Sequence, residues 1–345
     1  MRRVTMAEDL PAALVSGSAE AAAAFGDGVV YLEREILPAR HVEVQLLGDA
    51  HGTIVALGER DCSLQRRHQK LVEEAPAPGL TAEQRARLHD LAVRLGRAAG
   101  LRNAATCEFL LDPDDCFWFL EVNMRLQVEH GVTELVTGID IVREQFLIAA
   151  GAPLGPHVLE AARHAATPSS HAIEVRVAAE DPARAFAPAP GIVGRWVMPS
   201  GPGVRVDTAI ETGDAVPPDY DNLMAKVMVH AHDRDAAIDR LGRALAETEV
   251  GGLQTTLPFH AFVAASDAFR SAELSTGWVQ EHWDGAGARD AAVARALVAS
   301  GLLALEAGTQ QPTSQPAMPQ ARAGNPGGGG WRRGARAHGV DRWPG

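Results

Sequence analysis

Lysine is nearly absent from this sequence: only Lys70 and Lys226 stand against thirty arginines in 345 residues. Chemistry that needs a lysine amine therefore has two candidates. Cysteine is scarce too. Cys62, Cys107 and Cys116 are few, odd in number and without CxxC spacing, which points to a protein of a reducing, cytoplasmic compartment. No apolar run approaches the about 18 residues of a transmembrane helix. Met1-Arg2-Arg3-Val4 meets Glu8 and Asp9 before any apolar stretch, which excludes a signal peptide there. Positive charge is in deficit, 32 Lys+Arg against 44 Asp+Glu for a net charge of −12, which argues against binding to nucleic acid or to an anionic membrane. The deficit is uneven: residues 308–345 carry five Arg and one Asp, so residues 1–307 sit near −16. The 46% hydrophobic and 22% charged content are ordinary for a folded protein, and the length fits about two domains.

Residues 5–25 read as a helix stopped at Gly26-Asp27-Gly28, followed by a β-prone Val29–Leu32. His41–Leu46 alternates polar and apolar, turns through Gly48–Gly52 and returns as Thr53–Leu57, which predicts a hairpin with one wet face. Thr81-x-x-Gln84 is a capping box for a helix with Leu88, Leu91, Ala92 and Leu95 on one stripe, closed by Gly100. Thr106–Leu111 and Phe117–Asn123 flank Asp112–Asp115 as a second hairpin. Asp140 caps a helix ended by Gly151, and Pro153–Ser170 reads as an irregular connection. Strands near 171–178, 192–198 and 223–230 and a helix over 233–247 follow. From Gly308 the Gln, Pro, Ser and Gly content predicts a flexible linker.

The second hairpin carries the most chemistry. Pairing Leu111 with Trp118 sets Glu108 opposite Glu121 and Thr106 opposite Asn123, and the two-residue period puts Glu108, Glu121 and Asn123 on one face. Opposed carboxylates repel unless a cation lies between them, and Glu, Glu and Asn oxygens suit Mg²⁺. A solvated sheet face is the plain alternative. Arg125, Gln127 and Glu129 extend the polar alternation beside the buried-looking Phe117–Leu120, and that argues against a mere surface. A second dense segment, Glu59–Lys70, holds one of the two lysines and exits through Val72–Pro78. It reads either as an exposed charged loop or, beside a Mg²⁺ site, as a cradle for phosphate or a small anion such as bicarbonate.

These residues resemble biotin carboxylase, the ATP-grasp component of acyl-CoA carboxylases. The resemblance lies in Arg40–Gln45, Glu59–Lys70 with Glu73–Pro76, Phe119–His130, and Glu174-Val175-Arg176 with Ala179–Pro182, and it covers about residues 1–285. Carbamoyl-phosphate synthetase is similar only in fold and in a motif like Phe119–Leu126. The resemblance implies an α+β fold: a remnant of the ATP-grasp small lobe at 1–35, the large lobe at 36–157, the biotin carboxylase C-terminal domain at 168–285, and a helical extension with a disordered tail at 286–345. It implies that Glu108, Glu121 and Asn123 hold Mg²⁺ or Mn²⁺, and that Glu33, Ile36, His41, Gln65 and His68 contact ATP. Lys70, Arg125, Gln127 and Val128 are implied to cradle bicarbonate, with Glu129 as its base and Arg176 steadying the biotin enolate. The implied partners are a biotin carboxyl carrier, a carboxyltransferase subunit and a second copy of the chain.

The sequence also departs from the family. Met1–Val4 resembles the residues just after the family's glycine-rich loop, so the preceding domain and its two ATP lysines are expected to be missing. Gly131 stands where proline is usual, and Met124 and Leu126 also differ. Lys226 lies in Met224-Ala225-Lys226-Val227, not in a Met-Lys-Met biotin site. Two other readings stay open at this point: a non-catalytic fragment that keeps the dimerising domain, and another ATP-grasp ligase.

Overall fold

The computed structural model describes residues 2–309; the linker expected from Gly308 therefore lies outside the described residues from 310 onward, while Gly308 and Thr309 still belong to a helix. The chain divides after Asp290 into two compact units; in the second, the described residues continue a helix spanning Gly285–Thr309. The first unit is built on one eight-stranded sheet. Its strands are β1 (Arg40–Gly48), β2 (Ile54–Arg66), β3 (Gln69–Ala75), β4 (Asn103–Leu111), β5 (Phe117–Asn123), β6 (His171–Ala178), β7 (Val204–Thr208) and β8 (Leu223–Ala231). They lie in the order β7-β8-β6-β3-β2-β1-β4-β5, and every neighbouring pair is antiparallel. The two stretches of chain meet where β3 pairs with β6, Glu73 opposite Glu174.

Helices cover the sheet. Before it comes α1 (Leu10–Phe25), then α2 (Ala82–Ala98), α3 (His130–Thr137), α4 (Ile141–Ala149), α5 (Pro156–His164), α6 (Arg234–Ala246) and α7 (Leu257–Ala265). The capping box of α2 forms as the sequence predicts, with the Gln84 amide donating to Thr81 Oγ1 and the Gln84 side chain accepting from the Thr81 amide. Its Leu88 and Ala92 pack on Val42, Val44, Leu46 and Phe109 of the sheet. Burying an aliphatic side chain of this size contributes about 1.5–3 kcal/mol, so this layer anchors β1 and β4. A second core joins β6 and β8 to α6 and α7 through Val175, Val227, Leu241 and Phe259.

Several expectations need correction. The first hairpin has no wet face: β1 is buried from His41 to Gly48, because α2 covers one side, while on the other α4 and α5 pack on Leu47 and Leu57, and Arg60 ties Glu43 and Gln45 to Thr133 of α3. Val29–Leu32 forms no strand, since no neighbour supplies a ladder, and the Pro153–Ser170 connection contains α5. The span 192–198 splits into short strands at Gly191–Ile192 and Arg195–Val197. Phe117–Leu120 is not buried; Trp118, Phe119 and Leu120 are 40%, 52% and 44% exposed because β5 is the edge strand. In the second hairpin Leu111 pairs with Phe117, not Trp118. A bulge between Glu108 and Phe109 absorbs the offset, so Glu108 still meets Glu121 and Thr106 still meets Asn123.

Candidate active site

On β1 the alternation that sends Val42, Val44 and Leu46 toward α2 sends His41, Glu43 and Gln45 to the opposite face. All three are buried there, together with Arg60 from β2. Arg60 is wholly enclosed, and each of its nitrogens has a partner. Nε donates to Glu43 Oε1 at 2.6 Å, Nη1 to Gln45 Oε1 and Thr133 Oγ1 at 2.9 Å each, and Nη2 to Thr106 Oγ1 at 3.2 Å. The strand pair β2–β3 then turns on Arg67 and His68, both at positive φ (52° and 64°). Non-glycine residues seldom adopt that conformation, and the turn returns the chain so that Lys70 reaches back over the polar face. The Glu59–Lys70 segment is thus a buried strand and a tight turn rather than an exposed loop.

Lys70 is the hub. Its Nζ donates to Glu43 Oε2 at 2.5 Å, to Glu129 Oε1 at 2.6 Å and to Glu108 Oε1 at 3.3 Å. Glu129, fully buried just before α3, also accepts from Arg176 Nη2 at 3.0 Å, and Arg176 Nε donates to Glu73 Oε1 at 2.6 Å. Glu108 lies 2.8 Å from His41 Nε2 and accepts from Gln127 Nε2 at 3.0 Å and Asn123 Nδ2 at 2.9 Å. Asn123 Nδ2 also reaches Glu121 Oε1 at 2.8 Å, and Gln65 Nε2 lies 3.3 Å from His41 Nδ1. Arg125 sits at the exposed rim and donates to Gln127 Oε1 at 3.0 Å. Val128 is fixed from behind: Lys226 Nζ donates to its carbonyl at 2.8 Å and lies 3.3 Å from Asp207.

The electrostatics follow from this packing. Burial pushes the Glu43 carboxyl up, but Arg60 and Lys70 outweigh it and hold it at about 2. Glu108 is likewise pushed up by burial and brought to about 2, by His41 and Lys70. Burial works against the Lys70 ammonium, and its ring of carboxylates more than restores it, raising its pKa. Glu73 behaves differently. Burial lifts it to about 7, with Arg176 pulling the other way. Cys62, buried under the same network, is pushed up by burial and then by Glu43, so it is an inert thiol here.

Most of the residues expected at a site do converge. His41, Gln65, Lys70, Glu108, Glu121, Asn123, Arg125, Gln127 and Glu129 form one chain of hydrogen bonds and close polar contacts, with Arg176 at one end and Val128 in its loop. Glu33 and Ile36 lie on the irregular segment before β1, and His68 is exposed on the β2–β3 turn. Among the described residues no side-chain hydrogen bond joins Glu33 or His68 to the network. Sequence reasoning passed over Glu43, Arg60, Glu73 and Glu174 as site residues, and over Lys226 as more than a discarded attachment site. The signal for Glu43 was present, since it alternates with His41 and Gln45.

The donor set fits a hard divalent cation. Glu108 and Glu121 offer carboxylate oxygens from opposed strands, and the Asn123 amide already spans both and can present its oxygen by turning over. Such an arrangement can bind anionic phosphate through the cation and a small anion through Lys70 and Arg125.

Comparison with known proteins agrees with this geometry. The family model for the carbamoyl-phosphate synthase L chain, ATP binding domain, matches residues 1–157, and that for the biotin carboxylase C-terminal domain matches residues 174–281. A biotin carboxylase of Nostoc sp. is 43% identical over 281 residues, covering 81% of this chain and 62% of the relative. The biotin-dependent acyl-coenzyme A carboxylase alpha3 subunit of Mycobacterium leprae is 46% identical over 281 residues, covering 80% of this chain and 46% of that protein. The chain thus spans less than two thirds of these relatives' lengths. Among solved structures, the biotin carboxylase domain dimer of Hydrogenobacter thermophilus 2-oxoglutarate carboxylase, in complex with MgADP, ADP and bicarbonate, superposes with a TM-score of 0.75. It is 41% identical, and the match covers 80% of this chain and 60% of that one.

Proposed function

The chain belongs to the biotin carboxylase family, and on that footing we propose that it serves the ATP- and Mg²⁺-dependent (or Mn²⁺-dependent) carboxylation of carrier-bound biotin with bicarbonate. It does so as the biotin carboxylase component of an acyl-CoA carboxylase, in the cytoplasm and as a homodimer. Its partners are a biotin carboxyl carrier and a carboxyltransferase subunit. Within the chain, residues 1–35 belong to the ATP-grasp small lobe, 36–157 to the large lobe and 168–285 to the biotin carboxylase C-terminal domain.

The observation that carries the reading is the bracketing of Glu129: Lys70 at 2.6 Å on one oxygen and Arg176 at 3.0 Å on the other. One carboxylate thereby links a cation able to hold bicarbonate to a cation able to hold an enolate. Bicarbonate is a poor nucleophile. Lys70, Arg125, Gln127 and the Val128 backbone orient it, and Glu129 takes its proton as the oxygen attacks the γ-phosphate of ATP. Glu108, Glu121 and Asn123 hold the metal ion, which neutralises charge on the phosphates. Carboxyphosphate forms with release of ADP, then breaks to CO₂ and phosphate. The phosphate removes the ureido proton of biotin, Arg176 steadies the enolate oxygen, and the nitrogen takes up CO₂. His41 and Gln65 serve the nucleotide side together with Glu33, Ile36 and His68.

ATP cleavage by a version of the protein that carries the family's complete ATP-grasp domain tests this. It should require bicarbonate and rise with biotin, and Arg176→Ala should spare bicarbonate-dependent cleavage far more than biotin carboxylation. Cleavage indifferent to both, or driven by ammonia or amino acids, would refute the assignment.

A further inference from the structure

At the junction of β3 and β6 two carboxyls oppose each other inside the protein. Glu73 and Glu174 are register partners, both wholly buried. Opposed residues of an antiparallel pair project to the same face with Cβ atoms about 4.5–5.5 Å apart. Glu73 uses one oxygen, Oε1, to accept from Arg176 Nε at 2.6 Å, and its Oε2 has no hydrogen-bond partner. Neither oxygen of Glu174 has one. The other buried acids of this face each have a cation close by: Glu43, Glu108 and Glu129 at Lys70 (2.5, 3.3 and 2.6 Å), and Glu73 at Arg176. Among the buried acids of this face in the described residues, Glu174 alone has no cation within ion-pair distance, and Lys226 on β8 is engaged by Val128 and Asp207.

The surroundings of Glu174 are fully specified. Arg176 is on its own strand, Glu73 on β3, and Lys226 and Met228 on β8. Glu129 and Gly131 come from the start of α3; a Cβ on Gly131 would lie 3.5 Å from Glu174 Oε2. An ionised carboxylate with no donor in such a place is the form that burial penalises most, and the neutral acid is favoured. Burial first, and then the charge of Glu73, drive the Glu174 carboxyl upward, against the pull of Lys226 and Arg176.

We infer that Glu174 is a positioning residue for Arg176: a neutral carboxylic acid whose hydroxyl turns to the free oxygen of Glu73, leaving Glu73 as the one anion that anchors the guanidinium from behind. The functional meaning rests on the reading that Arg176 faces biotin. When Glu129 accepts a proton it loses its hold on Arg176 Nη2, and the Glu73 contact at Nε keeps the side chain in place. A second ionised carboxyl beside Glu73 would draw the guanidinium into the sheet instead.

Infrared and nitrogen-15 NMR spectra of the purified protein test this without turnover. The wild-type minus Glu174→Gln infrared difference should contain the carbonyl band of a protonated carboxylic acid, at neutral pH and still at about pH 8.5. The Arg176 Nε–H resonance, assigned by its loss in Arg176→Lys, should survive Glu174→Gln and disappear in Glu73→Gln. The unfolding midpoint of Glu174→Gln should gain on wild type as pH rises above 4.5, because the unfolded carboxyl gives up its proton there and the folded one keeps it. A difference spectrum with only a carboxylate band overturns the inference. So does a Glu174→Gln variant that releases the Arg176 Nε–H as Glu73→Gln does. If Glu73→Gln does not fold, the infrared difference alone decides. Should ATP cleavage prove indifferent to bicarbonate and biotin while these spectra hold, the carboxylation reading falls and the Glu73–Glu174 arrangement stands.

Discussion

Replacing Arg60 by Met is the sharpest probe of the buried polar face. The guanidinium is 0% exposed and makes four hydrogen bonds, to Glu43, Gln45, Thr133 and Thr106. Two charges about 4 Å apart at an effective dielectric of about 20 attract by about 4 kcal/mol, and removing one partner of a buried pair typically costs about 3–5 kcal/mol. Lys70 remains 2.5 Å from Glu43, so that carboxylate keeps one cation and the loss belongs at the lower end of the range. The orphaned Gln45 and Thr133 oxygens add to it. Arg60→Met should therefore lose about 3–4 kcal/mol in urea unfolding followed by tryptophan fluorescence. Arg60→Met combined with Glu43→Gln should recover part of that loss, since the uncompensated charge is gone. A loss below about 1 kcal/mol in the single variant, or simple addition in the pair, would refute the idea that this ion pair organises the face.

Three further outcomes are expected. Glu74, wholly buried between His171 (2.7 Å) and Arg234 (2.7 Å), is pushed up by burial and brought to about 2 by these partners, against 4.5 unfolded. Its depressed value stabilises the fold by about 3 kcal/mol above pH 4.5 and is lost as pH falls toward 2, so Glu74→Gln should be less stable at neutral pH and converge on wild type in acid; a pH-independent gap would count against it. Glu121→Gln should weaken Mn²⁺ binding measured by electron paramagnetic resonance and, in a full-length version, abolish metal-dependent turnover, with stability held or raised as the repulsion with Glu108 is relieved; near-normal metal binding would remove Glu121 from the site. Gly131→Ala would place a Cβ 2.3 Å from Met228 Sδ, so it should lose about 1–3 kcal/mol in thermal unfolding, and Met228→Ala in the same chain should restore most of it; a neutral single substitution would mean the contact yields freely.

The β4–β5 hairpin was legible because its information is local. A turn at Asp112–Asp115 and a two-residue period mark the two strands and the residues that share a face, but the Glu108–Glu121 pair itself depends on a bulge between Glu108 and Phe109 that offsets the one-residue difference at the turn. The α2 capping box and the Asp140 cap were legible for the same reason, each lying within four residues of the amide it serves. The quoted motifs placed Lys70, Glu129 and Arg176 at a common site by resemblance; alternation alone does not relate residues 59 and 47 positions apart.

Everything that depends on which strands become neighbours had to come from the folded chain. Arg176 meets Glu73 across 103 residues because β6 inserts beside β3, and nothing in either segment's own pattern encodes that choice. The same holds for burial. Alternating His41–Leu46 reads as half wet, and only the packing of helices over the polar face turns Glu43 and Arg60 into interior charges. Phe117–Leu120 reads as buried and is exposed, because an edge strand lacks a neighbour however apolar its residues. Local periodicity therefore settled which side chains share a face, since that follows from backbone geometry over a few residues. Tertiary assembly settled what each face touches, and with it the reach of the groups at the site.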